Sequence, residues 1–349
     1  MSLPIEIGLH DFLPRFQLLN HRGRASDLLR HAMGKPIALF FISSQQEIAL
    51  ALLRRIVEAG DPEGGNFHIL AVSDRAPEES ASLAQQSGFE RPILYDEKGQ
   101  LARAMGHLAD GEAAYPPTSR LYVADSNRRL AGIFPLTAES DVEGILRDCA
   151  EKLAPAGSRV VQPTAPILYV RDALDRRDCE GLIRLWHEGG NSETGVFRQD
   201  QTQPGGQIDR STKSRRDHVV TESDVARHIV AVLNRRVVPE IFKAFSFRVK
   251  YVKEFKIGCY KAEDSGVFKP HRDNFAERGG RRFAFSLILN AEDFEGGELR
   301  FPEYGGDLFR PGTGDAVVFS CYHVHEVLPV TRGERFVLLG FFYGEEGEG

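Results

Sequence analysis

His271-Arg-Asp273, then His325-Glu-Val-Leu-Pro-Val330, then Arg335-Phe-Val-Leu-Leu-Gly-Phe-Phe-Tyr343 make up the stretch on which the reading of this chain turns. In a strand, residues i and i+2 point to one face, so His271 and Asp273 can reach the same point in space. A second imidazole, His325, must then arrive from another strand folded over the first. Two imidazoles and one carboxylate form the ligand set of a facial iron site with open positions. Arg335 lies on the next apolar run, and a guanidinium at the far end of a pocket suits bidentate capture of a carboxylate.

Three ligand-type residues are a weak signal alone. With 11 histidines in 349 residues, His-x-Asp also arises by chance, and a surface His beside a surface Asp is the plainer alternative. The surroundings strengthen the pattern. Tyr260 precedes His271 and offers a phenolic donor. Arg281-Arg-Phe-Ala-Phe-Ser-Leu-Ile-Leu-Asn290 reads as a strand, and Phe294-Glu-Gly-Gly-Glu-Leu-Arg-Phe301 as a tight Gly-Gly turn entering another.

Together with Gly314-Asp-Ala-Val-Val-Phe319 and Gly333-Glu-Arg335, this ordered set resembles the Fe(II)/2-oxoglutarate dioxygenase superfamily in its prolyl 4-hydroxylase-like branch. The resemblance implies a double-stranded β-helix (jelly-roll, cupin-like) with flanking helices over residues 167–349, and a metal-binding core over 254–345. It implies Fe(II) on His271, Asp273 and His325, and 2-oxoglutarate as cosubstrate with Arg335 on its distal carboxylate. Tyr260 fits the family's cosubstrate-side tyrosine, and ascorbate is a candidate accessory. His323 competes as the distal ligand, but His325-Glu-Val-Leu-Pro-Val330 matches the family's phrase. One departure is Ile288, where some relatives carry a cosubstrate-binding Tyr; Ser286 is the candidate substitute. The implied activity is hydroxylation of an unactivated C–H bond, with decarboxylation to succinate and CO2. A peptidyl proline, an amino acid or a small metabolite all fit as substrate. The alternatives are a non-catalytic iron or 2-oxoglutarate sensor or scaffold and, further off, a thiol-independent redoxin.

Residues 1–155 alternate strands and helices. Pro36-Ile-Ala-Leu-Phe-Phe-Ile42 suits a buried central strand, and Gln45 to Ala59 has helical spacing with Ser44 as N-cap. Phe67 to Val72 is a second strand, Pro77 to Ser87 a helix stopped by Gly88, and Pro92 to Tyr95 a short edge strand. Arg120 to Ala124 and Leu130 to Phe134 form a hairpin around Asp125-Ser-Asn127, and Asp141 to Leu153 a closing helix. The order resembles the thioredoxin fold in its peroxiredoxin branch, through Asp11-Phe-Leu-Pro-Arg-Phe-Gln-Leu-Leu-Asn20, Gly34-Lys-Pro-Ile-Ala-Leu-Phe-Phe41, Leu70-Ala-Val-Ser-Asp74 and Pro117-Thr118, with Pro117 the candidate cis proline. The branch's Pro-x-x-x-Thr/Ser-x-x-Cys motif is replaced by Phe41-Ile-Ser-Ser-Gln-Gln-Glu-Ile48, and no cysteine stands before Cys149. A thiolate is the nucleophile in peroxide reduction. The domain therefore reads as redox-inactive, a docking, dimerisation or substrate-presenting module or a structural appendage. A homodimer or a protein partner through it is the partner expectation.

Residues 156–166 read as a Pro/Gly/Ala linker. Asp175 to His187 and Glu222 to Phe242 have helical spacing, and Phe245 to Tyr260 supplies the first strands. Asn191 to Arg216 is polar, either a loop or a lid, in which Arg198, Arg210 and Arg215 are candidates to meet an acidic group. Glu326 reads as a solvent or loop contact. A net charge of −6 gives no footprint for nucleic acid or anionic membrane. No apolar run reaches membrane-spanning length, and the first residues carry no secretory pattern. Cys149, Cys179, Cys259 and Cys321 have no zinc spacing, so buried thiols in a reducing cytoplasm are expected.

Overall fold

The computed structural model describes residues 7–27, 34–60, 67–154, 157–158, 160–194, 209–273 and 280–344. The chain divides into two compact units, Met1–Arg159 and Val160–Gly349.

The first unit is a mixed α/β sheet. Its strands are β1 (Gln17–Asn20), β2 (Ala25–Asp27), β3 (Ile37–Phe41), β4 (His68–Ser73), β5 (Ile93–Tyr95), β6 (Ser119–Ala124) and β7 (Leu130–Leu136), in the spatial order β2-β1-β5-β4-β3-β6-β7. β3, β4 and β5 run parallel, and β6 and β7 return antiparallel, a thioredoxin-like arrangement. All of β3 is buried, as a continuous apolar run in a two-sided sheet requires. Helices α1 (Gln46–Ala59) and α4 (Val142–Leu153) cover one face together with α2 (Pro77–Ser87); α3 (Gln100–Ala104) packs on the other. Gly88 ends α2 in the left-handed region at φ 71°, as its position predicted.

Three local expectations are corrected. β5 is interior, because the β1–β2 hairpin pairs along its free side. The residue flanking α1 is Gln45, with no side-chain cap; Ser43 Oγ instead accepts from Gln45 N and donates to the Pro117 carbonyl. No described peptide bond is cis, that before Pro117 included.

His107 gives this unit a pH dependence. Its ring lies 5.0 Å from Phe41 and 5.3 Å from Tyr115, and Nε2 is buried with no hydrogen-bond partner among the described residues. Burial, aided by the Arg120 charge, pulls its pKa from 6.5 down to about 4. Between those values the unfolded chain binds more protons than the folded one, so stability is lost as pH falls through this window, by at most about 1.4 kcal/mol per pH unit. Denaturant melts across the window should show this slope, and His107→Leu should flatten it. An unchanged slope would assign the effect elsewhere.

The second unit is an antiparallel β sandwich. Its strands are β8 (Leu168–Val170), β9 (Ser192–Glu193), β10 (Arg216–Val219), β11 (Tyr251–Lys261), β12 (Phe268–His271), β13 (Arg281–Ile288), β14 (Phe294–Gly296), β15 (Leu299–Arg300), β16 (Leu308–Phe309), β17 (Ala316–Ser320), β18 (His325–Val327) and β19 (Val330–Tyr343). The larger sheet runs β8-β17-β13-β19-β11-β10-β9, with β14 on β19, and the smaller runs β12-β18-β15-β16. Alternation sorts β19. Phe336, Leu338 and Phe342 join the outer core beneath α5 (Arg176–Glu188) and α6 (Ser223–Arg236), while Val337 joins the inner core with Tyr260, Ala284 and Ile288. The single helix expected over 222–242 is two, α6 and α7 (Val238–Phe245), since Pro239 has no N–H to continue the ladder. The end of the linker stretch lies on this unit: Ala165 is buried in the inner core, and Thr164 Oγ1 donates to Asp307 at 2.8 Å. All four cysteines are buried free thiols, as expected. No helix among the described residues is long and apolar enough to cross a membrane.

Candidate metal and cosubstrate site

β12 and β18 pair so that His271 stands directly opposite His325. Asp273 follows β12, its N–H held by the Cys321 carbonyl at 3.1 Å and its own carbonyl by Arg281 Nη1 at 3.3 Å. One ligand atom from each of His271, Asp273 and His325 lies within 4.8 Å of the other two. His271 Nε2 is 3.8 Å from Asp273 Oδ1, and His325 Nε2 is 3.5 Å from Oδ2. The opposite ring nitrogens are occupied. His271 Nδ1 lies 2.8 Å from the Lys269 carbonyl, and His325 Nδ1 3.1 Å from the His323 carbonyl. A carbonyl only accepts, so each Nδ1 carries the proton and each Nε2 presents a lone pair, the tautomer a metal needs. Burial, with His325 alongside, holds His271 well below the usual histidine pKa and so neutral. Phe268 stacks on the His271 ring at 3.5 Å, and Phe319 flanks His325 at 4.5 Å, fixing both rings.

Behind the triangle lies a buried cationic layer. Arg335 is directly opposite Tyr260 across β19 and β11, and its guanidinium sits 5.1 Å from the Tyr260 ring. Arg335 is 2% exposed, yet its Nε and Nη1 have no hydrogen-bond partner among the described residues. Burial pulls its pKa down to about 10. An unpaired buried guanidinium is costly, and its donors suit a carboxylate. On the other side of Tyr260, Arg215 donates to the phenolic oxygen at 3.0 Å and binds Asp217 through Nε at 2.5 Å and Nη2 at 2.9 Å. Lys213 Nζ adds a contact to Asp217 at 3.3 Å. Burial would raise the Asp217 pKa, but Arg215 and Lys213 outweigh it and hold the carboxyl well below its usual range. Burial, with Arg215 nearby, drops Lys213 to about 7.

The sequence pattern of the 2OG-Fe(II) oxygenase superfamily matches residues 255–343, which contain the triangle, Tyr260 and Arg335. This part of the chain belongs to that superfamily. A PKHD-type hydroxylase from Maricaulis maris is 28% identical over 185 residues, covering 52% of this chain and 74% of the relative. The rat procollagen-lysine,2-oxoglutarate 5-dioxygenase 1 is 23% identical over 190 residues, covering 52% of this chain but only 25% of the relative. A thiol peroxidase from Chromobacterium violaceum is similar in structure at a TM-score of 0.37 and 14% identity, covering 43% of this chain and 90% of that one.

Within the oxygenase domain, the residues singled out by sequence fall as follows. The fold brings His325 into the triangle and leaves His323 beside it, in the turn before β18, packed on Tyr304 at 5.1 Å. Ser286 is buried on the inner face of β13, but its cross-strand neighbour is Leu339, four residues beyond Arg335. That separation is about 13 Å between backbone positions along the strand. Glu326 is buried rather than solvated, because Arg300 Nε donates to it at 2.7 Å. Arg210 is an exposed partner of Glu193, Arg215 is buried, and Arg198 lies outside the described residues. The sequence reading missed Lys213 and Asp217. Their signal was the period of two in Lys213-x-Arg215-x-Asp217, which puts three ionic groups on one face of an extended segment.

The Gly-Gly turn lies against Arg335. Gly297 has φ +66°, and a Cβ there would stand 2.7 Å from Arg335 Cδ. Gly297→Ala should therefore cost about 1–3 kcal/mol of stability and also displace Arg335. Loss of stability with an unaltered 2-oxoglutarate affinity would show that the backbone alone needs the glycine.

Proposed function

We propose that the oxygenase domain is a hydroxylase that holds Fe(II) through His271, Asp273 and His325 and seats the distal carboxylate of 2-oxoglutarate on Arg335. The observation that carries this is Arg335 itself, a buried guanidinium whose Nε and Nη1 are unpaired among the described residues, next to a tyrosine in the same inner core as the triangle's supports. When bound, the metal would activate dioxygen, the oxidant, and the keto acid would give up two electrons as it loses CO2 to become succinate, one oxygen atom entering succinate and the other a C–H bond of the substrate.

The chain's own residues do the positioning. The Lys269 and His323 carbonyls fix the two imidazole tautomers, and the Cys321 carbonyl and Arg281 hold the Asp273 backbone. Arg335 orients the cosubstrate, and the apolar inner core around Tyr260, Phe294, Val330 and Val337 keeps water from competing for its guanidinium. His271 and Asp273 are only partly buried, which leaves the triangle approachable from one side. A peptide or small molecule offering an unactivated C–H bond fits there. The rat relative's name gives procollagen lysine as its substrate, which supports a peptidyl side chain as the first class to try.

The test is succinate release from 2-oxoglutarate with Fe(II) and oxygen, with and without candidate peptides, alongside a mass-spectrometric search of a lysate for an added oxygen atom. Product that appears with the wild type and not with His271→Ala supports the hydroxylase. Cosubstrate binding without succinate under every condition would instead support a sensor.

A further inference from the structure

We propose that Arg215 is a positioning residue for the cosubstrate, acting through Tyr260; this rests on the cosubstrate reading above. A guanidinium only donates, so at the 3.0 Å contact between Arg215 Nη1 and the Tyr260 hydroxyl the phenolic oxygen is the acceptor. The phenolic proton is thereby directed away from Arg215 and left to another acceptor. Tyr260 belongs to the inner core and lies between two guanidinia, with Arg335 5.1 Å and Arg215 5.4 Å from its ring. Arg335 Nε and Nη1 have no hydrogen-bond partner among the described residues, so an anion that satisfies them arrives beside Tyr260 and is offered the phenolic proton as a second bond.

Arg215 is itself locked. Both Asp217 oxygens accept from it, and Asp217 is fixed from behind by Lys213 and by the Thr194 hydroxyl. The same guanidinium lies 5.7 Å from the Phe268 ring, which stacks on His271. One rigid ion-pair layer thus touches the side chains supporting both the cosubstrate end and the metal end. If Arg215 served only to neutralise Asp217, any cation at 215 would do, and nothing would couple it to the hydroxyl of Tyr260.

The two roles separate in calorimetric titration of 2-oxoglutarate into the full chain loaded with Fe(II) without oxygen. The variants are Tyr260→Phe, Arg215→Lys and the double. Lysine keeps a charge beside Asp217 but cannot span Asp217 and Tyr260 together. Each single variant should weaken binding about tenfold, and the double should be no weaker than Tyr260→Phe alone. Wild-type affinity in Arg215→Lys, or a double variant weakened by the product of the two singles, overturns the role of Arg215 and leaves the cosubstrate reading standing. A wild type with no affinity for 2-oxoglutarate, next to an Fe(II) site that fills, overturns both.

Discussion

Replacing Arg335 by methionine should weaken 2-oxoglutarate binding by on the order of 2–5 kcal/mol, about 30-fold to several thousand-fold, and at the same time raise the melting temperature of the ligand-free chain. The two effects have one cause. Arg335 is 2% exposed, its Nε and Nη1 have no partner among the described residues, and burial pulls its pKa down to about 10. A charge held that way destabilises the empty protein and is compensated when a carboxylate arrives. Methionine fills similar volume with no charge to solvate, so the ligand-free chain should gain on the order of 1–4 kcal/mol. A residue kept only for packing would show neither the loss of affinity nor the gain in stability. Calorimetry with 2-oxoglutarate and thermal melts of both proteins check the two halves. Wild-type affinity in Arg335→Met would remove the residue from its role.

The legible and illegible parts of this chain divide on physical lines. Strong periodicities were readable. The buried run Ile37–Phe41 became the central strand, and the apolar run that follows Arg335 became the long strand β19, whose register sets Arg335 opposite Tyr260. The ligand triangle was legible because His-x-Asp in extended chain has one geometric consequence, and because a strand pairing is the simplest way to deliver His325. What stayed hidden depends on tertiary neighbours. β5 read as an edge because nothing in Pro92-Ile-Leu-Tyr95 announces that β1 pairs with it. That Ser286 lies opposite Leu339 is set by the strand register alone. Glu326 looked solvated because a lone carboxylate next to a ligand gives no hint of Arg300 across the strand pair. Arg215 read as a candidate to meet an acidic group from a polar loop or lid, whereas its carboxylate partner is Asp217, two residues on and buried.

The second large effect concerns the metal. Asp273 brings the one carboxylate to the triangle, so on the proposed reading Asp273→Ala should reduce Fe(II) affinity by more than about a hundredfold, the upper range seen when only an outer partner of a ligand is removed. Loss of either imidazole leaves two donors and should be comparably severe. His323 offers the sharpest control. It is two residues from His325, has a buried Nδ1 with no partner among the described residues, and would be the distal ligand if the chain were shifted by one strand repeat. The structure gives its carbonyl, not its ring, a part in the site.

The most direct measurement is therefore an oxygen-free Fe(II) titration of the wild type beside His271→Ala, Asp273→Ala, His325→Ala and His323→Ala. One equivalent of metal per wild-type chain is expected, together with collapse of binding in the first three variants and retention in the fourth. Undiminished binding in any of the first three, above all in His325→Ala with loss in His323→Ala, would contradict the shared site on which the hydroxylase assignment depends.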